Sequence, residues 1–389
     1  MNRIGSGKAI STILKHDAKV TSYKIALLRA INDVVLSFPD LRNYNQDVAV
    51  PLRVLAEYWV AYYWPFVDLN KPVFQGQRAN LHSETRNDIA FRPVLAALRL
   101  RWELELETVS RPSDGFFVIN EMRVARKRAL YSQDFLKTYQ QAIRKISNAL
   151  EMPIRYAGPG NWTVFARPVR YEELDGLAVS TPGTQSNDKC VVIQAELWQS
   201  FQSLSLWVEA LCIHEWCLFS EGVEQGSTQQ VDRGDIYRLL TDRPDNRRPL
   251  TWERNNIDLL LVEGHEFVCP WTEKRIRSGV GYDLDHLVPV SIYPINELWN
   301  LVPADPHFNS HVKRHYLPSC ERLQQARQSL ELAYQQYGVS KALAKALRED
   351  VAIRFLTVGD NVTNFPTLVT GAVVKLIDQV AESRNIARF

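Results

Sequence analysis

Cysteine is scarce in this chain and does not cluster. Its five cysteines (Cys190, Cys212, Cys217, Cys269 and Cys320) are scattered over 389 positions with no CxxC pair. That spacing argues against a disulfide framework and against a four-cysteine zinc site. Long apolar runs are missing too. The nearest approach, Val48–Phe66, is interrupted by Arg53 and Glu57, so no membrane-spanning helix is expected. The opening residues, MNRIGSGKAISTILKHD, lack the continuous apolar core of a signal peptide. A reducing, cytoplasmic setting is the expectation. Charge of one sign is not in excess either: 46 Lys and Arg face 44 Asp and Glu, for a net charge of +2. Any nucleic-acid surface must therefore come from local patches rather than bulk basicity. What is present is an ordinary globular mixture, 46% hydrophobic and 23% charged, long enough for two or three domains.

Helical periodicity dominates the first part. Apolar residues recur at helical spacing over 10–36, and 52–64 continues as an aromatic-rich helix that Pro65 stops. Residues 87–106 and 132–150 also read as helices. Between them stands the densest basic cluster of the chain, Arg123, Arg126, Lys127 and Arg128. Residues 153–193 change character, with short β-prone runs (NWTVFARPV, CVVIQ) broken by Gly and Pro. A helix over 196–221 carries Trp198, Trp207 and Trp216 on what reads as a core face. Residues 222–250 are a polar connector with Arg243, Arg247 and Arg248, and a helix over 251–263 follows. The tail, 319–389, reads as helices divided near Gly338 and by the 359–366 loop. The expectation is an α+β protein in three parts: a mainly helical region with some strand at 1–250, a compact module at 251–320, and a helical segment at 321–389. The first part would serve targeting, regulation or partner binding.

One segment carries chemistry. Residues 267–318 read FVCPWTEKRIRSGVGYDLDHLVPVSIYPINELWNLVPADPHFNSHVKRHYLP. The first part suggests a short hairpin. Asp283 and Asp285 then precede His286 at the start of an apolar stretch; Asn300 follows in WNLVP, and Asn309 and Lys313 come one turn apart in a helix. Asp305 is placed as its N-cap with Pro306 at the first helical position, and Pro318 closes it.

That order, Asp-His, then Asn, then Asn within a helix, resembles the ββα-metal (HNH) endonucleases. It is similar to the HNH domains of CRISPR effector nucleases and to HNH proteins of bacterial restriction and phage defence. The resemblance covers roughly one seventh of the chain. It implies a metal-dependent hydrolase of DNA phosphodiester bonds that leaves 5′-phosphate and 3′-hydroxyl ends. The chemistry accounts for the residue types. Histidine titrates near neutrality and can take a proton from water, which fits His286 as general base. Asp285 and Asn309 offer hard oxygen donors suited to Mg²⁺ or Mn²⁺. The resemblance further implies that Asn300 braces the loop holding the base, that Lys313 contacts phosphate, and that His311 and Asp283 are additional ligand or phosphate-contact candidates. Many relatives of this kind hold a structural zinc between two CxxC pairs. None is expected here, and apolar contacts from Phe267, Trp271, Leu284, Leu298 and Trp299 must replace it, with Cys269 as a buried small hydrophobe.

Other features are weaker. His214-Glu215 begins like the zinc-protease HExxH but lacks the second histidine, so it reads as core. The cations at 123–128 and Arg243, Arg247 and Arg248 are candidate DNA contacts. RNA is a possible substrate in place of DNA. A lone one-metal site cuts one strand, so double-strand cutting would call for a homodimer, and nicking for a protein or guide-complex partner. A catalytically silent scaffold is the reading from another class.

Overall fold

The computed structural model describes residues 6–41, 45–77, 88–223, 231–242, 250–290, 292, 297–359 and 363–389. The chain is α+β and divides into two compact units. The first comprises Met1–Ser37, Leu41–Met122 and Lys127–Arg243; the second comprises Phe38–Asp40, Arg123–Arg126 and Pro244–Phe389. Arg243, Arg247 and Arg248 lie outside the described residues.

In the first unit a helix over Tyr23–Ser37 is buried at nearly every position. It is apolar almost all round, as a central helix must be. The helical spacing over 10–36 is realised as two helices, Ser6–Lys15 and Tyr23–Ser37. The aromatic run forms the helix Leu52–Tyr63, and its rings pack inside: Trp59 and Tyr63 lie 5.5 Å apart, and Tyr63 and Trp216 5.3 Å. Gly115 permits the close approach of the helix Asp114–Arg123. A Cβ there would stand 2.7 Å from the Ala61 Cα. The helix Gln133–Tyr156 is capped by Ser132, whose hydroxyl accepts from the Phe135 amide, and buries Phe135, Ala142, Ile146 and Leu150 along one stripe.

A four-stranded sheet runs through this unit. Its strands are β1 (Asp47–Pro51), β2 (Val169–Arg170), β3 (Ala178–Ser180) and β4 (Lys189–Ile193), in the order β2-β4-β1-β3. Strand β1 pairs in parallel with β3 and antiparallel with β4, with Val50 opposite Val191. Ala49, Ala178 and Cys190 form its buried centre. Two expectations are corrected here. The helix over 196–221 is interrupted at Leu204, giving Ala195–Ser203 and Ser205–Glu221. On it Trp198 and Trp216 are buried, but Trp207 is 70% exposed. His214, read as core, is exposed, and Glu215 beside it pairs with Lys15 at 2.8 Å.

The second unit holds the 267–318 segment and the tail together. It contains two small hairpins. The first joins β5 (Phe267–Val268) to β6 (Arg275–Ile276), and the second joins β7 (Asp283–His286) to β8 (Leu301–Ala304). Three helices follow: Cys320–Val339, Lys341–Ala352 and Phe365–Ser383. The break between the first two falls at Ser340, whose hydroxyl caps the second by accepting from the Leu343 amide. No helix among the described residues is long and apolar enough to cross a membrane.

Candidate functional site

The antiparallel register of β7 and β8 sets Asp283 opposite Ala304, Asp285 opposite Val302 and His286 opposite Leu301. Pro303 in β8 cannot donate to a ladder, and it is tolerated because this sheet has two strands among the described residues. Immediately after β8, Asp305 accepts from the amides of His307 (2.9 Å) and Phe308 (3.3 Å), and Pro306 occupies the first turn. The expected N-cap is thus in place. The helix is shorter than expected: residues Pro306–Phe308 are α-helical, Asn309–Lys313 make a π-type turn, and Arg314 ends it at φ +48°. A strand pair followed by a short helix is the local result.

Alternation along β7 puts Asp283 and Asp285 on the side the helix covers. Asn309 Nδ2 donates to Asp283 Oδ2 at 3.1 Å, and Lys313 Nζ donates to Asp285 Oδ1 at 2.8 Å. Each aspartate thus meets one residue of the turn. Their surroundings differ. Asp283 is half-buried, whereas Asp285 is buried and its second oxygen accepts from Trp271 Nε1 at 3.0 Å. Burial pushes the Asp285 carboxyl above the ordinary carboxylate range, against the pull of Lys313 and Trp271. Asp285, expected to ligate a metal, is therefore enclosed by protein donors. Lys313, expected on phosphate, is 1% exposed and also donates to the His286 carbonyl at 2.7 Å. Its charge faces inward because Asp285 lies under the turn, a long-range pairing that helical spacing could not show.

Asn300 is fully buried at the far end of the connecting loop. Its Oδ1 accepts from the Val288 amide at 2.8 Å, and its Nδ2 donates to the Val288 carbonyl at 2.9 Å. The Leu287 amide donates to the Asn300 carbonyl at 2.8 Å. One side chain thus fastens the residues directly after His286. His286 itself is half-buried. His311 is exposed, stacks on His307 with centroids 4.5 Å apart, and shares a 2.8 Å hydrogen bond with the Ser310 hydroxyl. Phe267, Cys269, Trp271, Leu284, Leu298 and Trp299 are buried, and the Cys269 sulfur accepts from the Asp305 amide at 3.2 Å.

The basic cluster does not form one exposed patch. In the second unit, Arg126 is half-buried and grips Asp350 with both terminal nitrogens, at 2.6 and 2.8 Å, and Arg123 is half-buried. In the first unit, Lys127 is buried with Glu121 at 3.9 Å, and Arg128 is exposed with one nitrogen on the Met122 carbonyl. For Arg126 and Lys127 a phosphate-contact role is corrected, since buried carboxylates hold their charges.

Several residues around the site went unread in the sequence. Nothing in the sequence shows Trp271 as a donor to Asp285 or the side chains that support the Glu297–Asn300 segment. Asp350 did leave a signal: it occupies the buried stripe Leu343, Ala346, Leu347, Asp350 and Val351 of its helix, where an acid needs a partner.

The comparisons with known proteins bear on the other unit. Residues 3–240, more than half of the chain, match a family described as a domain of unknown function, DUF8808. The chain belongs to that family. No curated protein and no solved structure matches it. The DUF8808 stretch ends before the 267–318 segment begins.

The Asp305 cap offers a pH test. Lys274, 3.1 Å away, and the Phe308 and His307 amides hold its carboxyl below the ordinary range. A depressed native value means stabilisation that is complete above the unfolded value near ~3.9 and lost as pH falls through the native one. Wild type should therefore exceed Asp305→Asn in melting temperature at pH 6, with the gap narrowing as pH falls below the unfolded value. A gap independent of pH would refute the charge contribution.

Proposed function

We propose that this DUF8808 protein is a metal-dependent endonuclease of the HNH kind, hydrolysing DNA phosphodiester bonds in bacterial restriction or anti-phage defence. The observation that carries the reading is the joint placement of Asp283 and His286 on β7, Asn300 on the turn that leads into β8, and Asn309 on the turn that follows β8. Asn300 closes the loop after His286 on both sides of Val288, and Asn309 reaches back to Asp283.

The donor set suits a hard cation. Asp283 supplies a carboxylate at the half-exposed edge, and Asn309 supplies an amide oxygen once its side chain is turned about. Two protein ligands leave a Mg²⁺ or Mn²⁺ ion places for water and phosphate. Among the described residues there is no cluster of three or more His, Cys, Asp or Glu placed to hold a metal, so water and phosphate would have to complete the shell of an ion held by this pair. When bound, the ion supplies charge neutralisation at the phosphate and stabilisation of the departing 3′-oxygen. His286 takes the proton from the attacking water. Asn300 fixes the backbone after His286, and Lys313 fixes its carbonyl from the other side. Asp285 neutralises Lys313 in the interior.

The test is incubation of the purified chain with supercoiled plasmid and Mg²⁺ or Mn²⁺, beside an EDTA control. Nicked or linear product that depends on metal is expected, and Asp283→Asn should raise the metal concentration for half-maximal cutting about tenfold or more. Plasmid and RNA both left intact by folded protein, at every metal concentration, would remove the reading.

A further inference from the structure

The first unit holds a cleft of about 700 Å³ lined by Arg53, Arg128 and Arg144 together with Glu57. Arg53 is already bound to Asp188 at 3.0 Å. A stronger line of contacts leads away from the candidate site. We infer that Arg126 and Asp350 form a clasp that sets the position of Asn300, and through it of His286; this rests on the nuclease reading only for its catalytic consequence.

The contacts form an unbroken series within the second unit. Arg126 donates to Asp350 from two nitrogens, at 2.6 and 2.8 Å. Asp350 is fully buried, and its Oδ2 also accepts from the Leu298 amide at 2.6 Å. Leu298 begins the single helical turn Leu298–Asn300, and the Asn300 amide donates to the Glu297 carbonyl at 2.9 Å. Asn300 then holds Val288 and Leu287, the residues after His286. Four bonds in sequence thus join a guanidinium at position 126 to the backbone directly after the general-base candidate.

A second set of contacts fixes the same turn from the other side. Glu297 is buried and is bridged to Arg354, while the Trp299 indole donates to Glu297 at 2.5 Å. The hydroxyls of Tyr334 and Tyr337 donate to the carbonyls of Trp299 (2.7 Å) and Leu301 (2.8 Å). The backbone from 297 to 301 is therefore gripped by side chains of the tail helices. Asp350 is the member of this grip whose charge is answered by a residue far away in sequence. Arg126 lies in the stretch matched by the DUF8808 family, although its side chain belongs to the second unit. Any event that withdraws segment 123–126 leaves Asp350 as a buried anion without its bidentate partner. The Leu298 amide then loses the acceptor geometry that places Asn300. The clasp is a positioning device, and neither residue touches substrate.

The experiment compares full-length wild type, Arg126→Gln, Arg126→Lys and Asp350→Asn by peptide-level hydrogen exchange and by plasmid cleavage. Exchange over 284–290 and 297–301 should speed up about tenfold or more in Arg126→Gln, while strands β1 and β4 exchange as in wild type. Asp350→Asn, which keeps an oxygen for the Leu298 amide, should show a smaller rise. Arg126→Lys should recover part of the protection, because it restores the charge without the two-pronged geometry. Cleavage should fall in turnover with little change in KM, since the substrate surface is not altered. Unchanged exchange at 284–301 in Arg126→Gln would overturn the clasp. So would uniform acceleration across both units, which would make the pair a general stabiliser. Altered exchange in a protein whose wild type cuts nothing would uphold the clasp and sink the nuclease reading, so the two failures are distinguishable.

Discussion

Lys313→Met is expected to destabilise the second unit by about 3–5 kcal/mol, with a melting temperature lower by roughly 10 °C. The expectation follows from enclosure. Lys313 and Asp285 are 1% and 4% exposed, and the Lys313 ammonium has Asp285 and the His286 carbonyl as acceptors. Removing the ammonium leaves the carboxylate facing one indole donor, Trp271, in a place that water does not reach. The pair itself is a weaker asset than that loss suggests. Burial raises the Asp285 carboxyl, which means that its ionised form is a net cost in the native state above the ordinary carboxylate range. A double variant, Lys313→Met with Asp285→Asn, removes both charges and keeps an oxygen for Trp271, so it should regain most of the lost stability. Thermal or urea unfolding of these two variants and of Asp285→Asn alone, read as a double-mutant cycle, gives the coupling directly. A double variant whose destabilisation equals the sum of the two single losses would show that the two side chains do not depend on each other.

The local parts of this site were legible in the sequence, and the inward-facing parts were not. The Asp305 cap and the first hairpin, β5 with β6, follow from residues within a few positions of one another, where turn and cap chemistry is read directly; the pairing of β7 with β8 does not. The fate of Lys313 depends on Asp285, and that of Arg126 on Asp350, which stands far along the chain. Helical spacing puts Lys313 beside Asn309 but does not say which side of the turn meets the strand. The sheet of the first unit shows the same limit. Strand β1 lies inside the apolar stretch 48–66 and pairs with strands at 178–180 and 189–193, so nothing near it marks it as a strand. The helix Arg233–Thr241 was hidden in a polar connector because Gly234 weakens the pattern. Its signal was Asp232, whose carboxylate caps it through the Asp235 amide at 2.8 Å.

His286→Ala should lower the rate of phosphodiester cleavage by about 10²- to 10⁴-fold, the range that a positioned general base supplies. Nucleic-acid binding and folding should be retained, because the alanine keeps the β7 backbone that pairs with Leu301 and the carbonyl that Lys313 holds. Asn300→Ala makes the informative partner. It deletes both side-chain bonds to Val288, so it disturbs the same histidine without removing it. If His286 is the base and Asn300 its brace, Asn300→Ala should lose turnover by a smaller factor, and adding it to His286→Ala should cost little more. Single-turnover cleavage at saturating metal separates these effects from metal affinity. A His286→Ala protein that cuts within tenfold of wild type would show that the proton leaves by another route. Independent losses that multiply in the double variant would mean that Asn300 acts on something other than the base, and the loop after β7 would have to be given a role of its own.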